Sequence, residues 1–161
     1  MEEIHIISDS RQKSGKHDTK EAWWRENGVH VTTSKVHVGD YVLSPPVAID
    51  TKRDVLELCQ DIDNDHERFR DECKRAKESG THLVVLVENT DGVSDLATLA
   101  QWQNPRRFIN AKKGLKPPIN GIRLSKACAT MERKYNVRFL FCRPEDAARR
   151  VVEILHGGCD G

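Results

Sequence analysis

The sequence predicts a three-layer α/β fold in which a mixed central sheet is flanked by helices. Strand-type and helix-type segments alternate along the chain. Residues 83–87 form a continuous apolar run, which is typical of a strand buried on both faces. Leu124, Cys128, Met131 and Tyr135 recur at helical spacing and predict an amphipathic helix.

The first part of the chain predicts a strand, a helix and then a group of strands. Asp18 and Glu21 give an N-capping signature and Gly28 a stop, so the helix covers residues 19–27. Gly39 and Asp40 occupy a turn between two strands, and Pro45-Pro46 precedes another. The predicted strands are residues 4–8, 29–38, 41–43 and 47–52.

The rest of the chain predicts further helices and two more strands. Phe69, Cys73 and Ala76 share one face of a helix that Gly80 closes. The region around residues 104–120 lacks periodicity, contains three prolines and a glycine, and predicts an exposed basic loop. A helix, a strand over residues 137–141 and a helix starting at Pro144 then form a C-terminal helix-strand-helix extension.

Composition favours a cytoplasmic protein with one domain over residues 1–161. The 161 residues are 37% hydrophobic and 32% charged, and no apolar run approaches the roughly 20 residues that span a membrane. The five cysteines include no C-x-x-C pair, so we expect free thiols and no zinc site.

Charge is distributed unevenly along the chain. Residues 104–150 carry 13 Lys/Arg against 3 Asp/Glu, a balance of +10, while the remainder carries 13 against 22, a balance of −9. Acidic residues in one part and basic residues in another suit a metal site beside a surface that binds a polyanion.

Asp50 and Lys52 are the strongest candidates for a chemical site. Side chains alternate along a strand, so both project from one face of the strand over residues 47–52. A chain that enters from Asp40, turns at Pro45-Pro46 and returns can bring the carboxylates of Asp40 and Asp50 together.

Two converging carboxylates suit Mg²⁺ or Mn²⁺, which prefer oxygen ligands and activate water for phosphodiester hydrolysis. Lys52 can orient or deprotonate the attacking water, or stabilise charge in the transition state; the sequence leaves these roles open.

The spacing of Asp40, Asp50 and Lys52 resembles the PD-(D/E)XK nuclease superfamily. Within it, the chain resembles the XPF-type nuclease domain, which reads D-x-R-E, G-D-Y and V-E-R-K and has a buried strand ending in Glu. The matching stretches are Asp9-Ser10-Arg11, Gly39-Asp40-Tyr41, Ala48-Ile49-Asp50-Thr51-Lys52, His66-Glu67-Arg68-Phe69 and residues 83–88. The likeness spans residues 4–89 and is closest to stand-alone forms of bacteria and phages.

The resemblance implies a restriction-endonuclease-like fold with metal ligation by Asp40 and Asp50, a catalytic Lys52, and Asp9 as a further catalytic acid and ligand. It also implies structure-selective cleavage of flaps, forks or other branched DNA in replication, recombination or repair, in a bacterial or phage-infected cell. Family members usually pair as dimers, so a homodimer, or a protein partner that supplies DNA affinity, is expected. Thr51 and Gln12 depart from the family motifs and leave substrate preference open.

Basic residues provide candidate DNA contacts, and Trp102 and Phe108 are candidates to stack on exposed bases. Trp23 and Trp24 are adjacent, so only one is expected in the core. The sequence leaves open whether Glu21, Asp54 or Glu88 joins the site. The predicted DNA-binding residues are Arg11, Arg106, Arg107, Lys112, Lys113 and Lys116.

The sequence thus predicts a Mg²⁺- or Mn²⁺-dependent DNA endonuclease. Two alternatives remain: a non-catalytic DNA-binding or scaffold subunit of a nuclease complex, and a sequence-specific restriction-type nuclease. Retention of Asp40, Asp50 and Lys52 favours the enzyme over the scaffold.

Overall fold

A computed structural model describes residues 4–9, 18–34, 41–42, 47–63 and 66–156 of the chain. Arg11, Asp40 and Cys159 lie outside these residues, as does the side chain of Asp9. Within the described residues, six strands form one sheet. They are β1 (Ile4–Asp9), β2 (Val29–Ser34), β3 (Tyr41–Val42), β4 (Val47–Lys52), β5 (His82–Glu88) and β6 (Val137–Cys142).

The sheet is mixed and has the order β2-β1-β3-β4-β5-β6. Strand β1 pairs in parallel with β2, and β4, β5 and β6 form a second parallel group. The two-residue strand β3 lies between these groups and is antiparallel to both β1 and β4. The predicted mixed sheet is therefore confirmed.

Helices cover both faces of the sheet and complete the predicted three layers. The described helices are α1 (Asp18–Glu26), α2 (Val55–Asp63), α3 (His66–Glu78), α4 (Leu96–Leu99), α5 (Arg106–Lys112), α6 (Gly121–Lys134) and α7 (Ala147–Leu155). A 3-10 turn, Pro144–Asp146, precedes α7. None of the described helices is long and apolar enough to cross a membrane.

Alternation along the strands divides the core into two clusters. On the side that we call the α6 side, Ala48 packs with Phe69, Leu124 and other apolar residues of α2, α3, α4 and α6. On the α7 side, Ile49 packs with residues of α1 and α7, such as Trp24. Each parity of β4 therefore faces a different layer.

One region differs from its predicted form, whereas the C-terminal helix, strand and helix lie where they were predicted. The segment predicted as a basic loop contains the helix α5, although its residues are largely exposed, as a surface loop would be. The C-terminal helix, strand and helix are built into the fold, since β6 pairs with β5 over Leu83–Glu88. The described cysteines, Cys59, Cys73, Cys128 and Cys142, are free thiols, as predicted.

Candidate functional site

Asp50 and Lys52 lie together near the carboxyl end of β4. Both belong to the strand parity that faces the α6 side, and they are only 8% and 7% exposed. The Lys52 Nζ atom is 2.8 Å from Asp50 Oδ2. The structure thus places both side chains on one face of β4, as the alternation predicts, and holds them in a buried ion pair.

A second carboxylate, from Asp61, contacts the same ammonium. Asp61 Oδ2 pairs with Lys52 Nζ, so the lysine bridges a strand carboxylate and one from the last turn of α2. The Phe69 ring centroid of α3 lies 5.2 Å from Lys52 Nζ, within cation–π range. Lys52 is therefore fixed by groups from three elements.

Sequence reasoning missed Asp61. It stands nine residues after Lys52, outside the spacing of any motif considered. The available signal was helical periodicity: Asp61 follows the buried Leu58 by three residues, which puts it beside the apolar stripe of α2 that packs on the sheet.

The two carboxylates govern the charge of Lys52. Burial by itself lowers the pKa of Lys52, but Asp50 and Asp61 outweigh it and hold the pKa well above its ordinary value. Lys52 is accordingly an ammonium ion. The nearby thiol of Cys73 is buried, which raises its pKa to about 12, and Glu72 and Asp50 act in the same direction. It is therefore a protonated core residue.

The remaining predicted acids occupy different positions. Asp9 is the last residue of β1, in register with Ser34, and its side chain lies outside the described part, as do Asp40 and Arg11. The convergence of Asp40 and Asp9 with Asp50 therefore stays a prediction.

Glu88, Asp54 and Glu21 have other surroundings. Glu88 pairs with Lys20 of α1 at 2.5 Å, and its parity on β5 faces the α7 side, opposite Asp50. Asp54 directly precedes α2 and caps it, since the Glu57 backbone N–H donates to Asp54 Oδ1 at 2.8 Å. Glu21 is exposed on α1. Within the described part of the chain, no ion pair or hydrogen bond joins any of these three carboxylates to Lys52.

Oxygen ligands are available beside Lys52 for a divalent cation. Asp50 and Asp61 offer hard carboxylate oxygens at the end of a sheet, which suits Mg²⁺ or Mn²⁺ better than a soft metal. Among the described residues, no group of three or more His, Cys, Asp or Glu side chains has the arrangement of a metal site. Asp50 and Asp61 are thus the carboxylates that the described residues place beside Lys52, and Asp40 lies outside the described ranges.

The basic segment, residues 104–120, contains helix α5 and is largely exposed. Asn104 is buried and its Nδ2 donates to the Ile119 carbonyl oxygen at 3.0 Å, which ties the two ends together. Helix α5 has no buried residue, and Phe108 and Ile109 are 62% and 52% exposed. All five Lys/Arg of the segment are exposed, and it contains no Asp or Glu.

Tryptophan positions modify the stacking prediction. The prediction that Trp102 stacks on bases is wrong, because Trp102 is buried in the α6-side core and its Nε1 donates to Asp91 Oδ2 at 3.1 Å. Phe108 remains available on the surface, with the Arg107 guanidinium 4.9 Å from its ring centroid. Trp24 is fully buried and Trp23 partly exposed, which confirms that one of this pair is core.

Comparisons with known proteins agree with this architecture. The chain is similar to the structure of XPF from Aeropyrum pernix, with a TM-score of 0.62 and 17% identity, over 98% of this chain and 62% of that chain. It is also similar to XPF from Aeropyrum pernix in complex with DNA, with a TM-score of 0.62 and 18% identity, over 94% of this chain and 62% of that chain. At these identities the likeness is one of fold, and this chain spans about 62% of the length of the solved chains.

Family membership rests on the sequence itself. In sequence, no curated protein matches this chain. The sequence profile of the ERCC4 domain matches residues 8–154, a range that includes Asp50, Lys52, Asp61 and the basic segment. The resemblance to the XPF-type nuclease domain is confirmed, and the chain belongs to the ERCC4 domain family.

Proposed function

We propose that this protein is a metal-dependent DNA endonuclease. The observation that carries the proposal is the buried Asp50–Lys52 pair near the carboxyl end of β4, in a member of the ERCC4 domain family. A carboxylate and a lysine on one strand face are the groups that phosphodiester hydrolysis needs beside a metal.

In this proposal, Asp50, Asp40 and Asp9 hold Mg²⁺ or Mn²⁺. When bound, such an ion polarises the phosphodiester, makes a bound water more acidic and neutralises the leaving oxygen. Lys52 contributes its positive charge at the scissile phosphate, because Asp50 and Asp61 keep it protonated. This favours charge stabilisation or water orientation over proton abstraction by Lys52.

DNA binding is assigned to the exposed basic segment together with Arg11. The exposed Arg106, Arg107, Lys112, Lys113 and Lys116 can each contact a phosphate. Phe108 is exposed beside them and can stack on an unpaired base, which supports preference for flaps, forks or other branched DNA over uniform duplex.

The proposal also covers the oligomeric state and the cellular context of the protein. We propose a homodimer, or a complex with a protein that supplies further DNA affinity, acting in replication, recombination or repair in the cytoplasm of a bacterial or phage-infected cell. The structure of XPF from Aeropyrum pernix with DNA supports the choice of DNA as the substrate.

Cleavage of labelled duplex, flap and fork DNA tests the proposal, with Mg²⁺, with Mn²⁺ and with EDTA. The wild-type protein should cut flaps or forks faster than duplex, and EDTA should abolish cleavage. Asp50→Ala and Lys52→Ala should each reduce the rate at least about 100-fold. Asp63→Ala is the matched control, because Asp63 is an exposed carboxylate on α2 and its loss should leave the rate unchanged.

Three outcomes would contradict the proposal in different ways. Equal cleavage by the wild-type protein and Asp50→Ala would remove the assigned site. Tight DNA binding without cleavage in either metal would indicate the scaffold alternative. Cleavage of linear duplex at fixed sequences would indicate a restriction-type nuclease.

A further inference from the structure

Asp61 pairs with Lys52 and is not among the proposed metal ligands. We propose that Asp61 is a positioning residue, which holds the Lys52 ammonium so that Asp50 can turn to a divalent cation. The inference rests on the proposed metal-dependent nuclease and adds a residue to its site.

The geometry gives Lys52 two carboxylate partners on separate elements. The Lys52 Nζ atom forms ion pairs with Asp50 Oδ2 and with Asp61 Oδ2 at the same time. Asp50 stands on β4, whereas Asp61 stands on α2. The lysine therefore keeps one carboxylate if the other is engaged elsewhere.

A buried ammonium needs such a second partner. Lys52 is 7% exposed, and a charge left without a partner at that depth is strongly unfavourable. If Asp50 were its sole carboxylate, a cation binding to Asp50 would have to displace the ammonium and leave it unpaired. Lys52 would then compete with the metal for the same oxygens.

Helix α2 is built to hold Asp61 in place. Its first turn is fixed by two hydrogen bonds, since Asp54 accepts from the Glu57 N–H and Glu57 Oε2 accepts from the Arg53 N–H at 2.9 Å. Val55 and Leu58 are fully buried against the α6-side core. Asp61 is consequently presented to Lys52 from a helix that is capped at its start and packed on the sheet, as positioning requires.

A double-mutant cycle on metal binding separates positioning from direct ligation. Isothermal titration of Mg²⁺ into the full chain compares the wild-type protein with Asp61→Asn, Lys52→Met and the double variant. If Asp61 acts through Lys52, Asp61→Asn weakens Mg²⁺ binding about tenfold when Lys52 is present and less than about twofold when residue 52 is methionine. Asp61→Glu, which keeps the carboxylate, should bind Mg²⁺ nearly as the wild-type protein does.

Two variants make the outcomes distinguishable. Asp63→Asn removes an exposed carboxylate from the same helix and should leave Mg²⁺ affinity unchanged, while Asp50→Asn should abolish binding. Circular dichroism checks that each variant is folded. If Lys52→Met does not fold, the Mg²⁺ affinities of Asp61→Asn and Asp61→Glu are compared instead. Equal affinities of these two variants would count against the inference.

The inference is overturned if Asp61→Asn binds Mg²⁺ as the wild-type protein does. It is also overturned if the loss is equally large with and without Lys52, because Asp61 would then act on the metal directly. Absence of binding by the wild-type protein, or normal binding by Asp50→Asn, would instead refute the proposed metal site and the inference with it.

Discussion

At Gly121, the first residue of α6, there is no room for a side chain. A β-carbon there would lie 2.5 Å from the carbonyl oxygens of Leu99 and Trp102. These oxygens belong to α4 and the turn that follows it, so α6 begins directly against another backbone. The close approach fixes the distance between α4 and α6, which both contribute residues to the α6-side core.

We expect Gly121→Ala to lower the free energy of unfolding by about 1–3 kcal/mol, because backbone atoms must move to admit the methyl group. Urea unfolding followed by circular dichroism measures the change. Lys126→Ala, at an exposed position of α6, is the control and should unfold at the wild-type midpoint. An unchanged midpoint for Gly121→Ala would contradict the close packing.

Individual site residues differ in how far the sequence predicts them. Asp50 and Lys52 are two residues apart on a strand, so the period of the strand alone fixes their shared face. Asp61 comes from a helix, and its contact with Lys52 depends on how α2 packs against β4. That packing is a tertiary property, which local periodicity does not specify.

Helix α5 is the element on which the DNA-binding proposal depends most. We expect Arg106→Ala/Arg107→Ala to weaken binding of a flap substrate and to reduce the slope of log affinity against log salt by about 2, since each phosphate contact contributes about one. Fluorescence anisotropy at several salt concentrations measures both quantities.

Arg143→Ala/Arg149→Ala is the matched control for α5. It removes the same charge from two exposed arginines near the start of α7 and should leave the salt slope close to the wild-type value. If both double variants lose affinity equally, net charge explains the effect, and α5 is not a specific contact surface.

Elements with a buried stripe are predicted well, and α5 shows why others are not. Strand β4 is buried on both faces and helix α3 on one, so each carries apolar residues at the spacing of its own geometry. In α5 the apolar Phe108 and Ile109 face solvent, so no stripe marks the helix. The Asn104 side chain donates to the Ile119 carbonyl oxygen and accepts from the Arg106 N–H at the start of α5. The sequence does not reveal these hydrogen bonds.

Assembly is a property of the whole molecule, and we expect this chain to form a homodimer. Light scattering of the pure protein, without DNA, should give twice the mass of one chain at micromolar concentration. Repeating the measurement at high salt tests whether association is mainly electrostatic, as the +10 balance of residues 104–150 and the −9 balance of the rest would allow. A monomer under both conditions would contradict the homodimer and favour a separate partner.

The two cores each contain a buried tryptophan, which makes them optically distinguishable. Trp24 lies on the α7 side, donating to the Ala148 carbonyl oxygen at 3.1 Å, and Trp102 lies on the α6 side with Asp50 and Lys52. The chain has three tryptophans, so replacing Trp23 and Trp24 leaves Trp102 as the sole indole, which can be excited selectively over the two tyrosines. Fluorescence can then follow the loosening of the layer around the candidate site separately from that of the opposite layer.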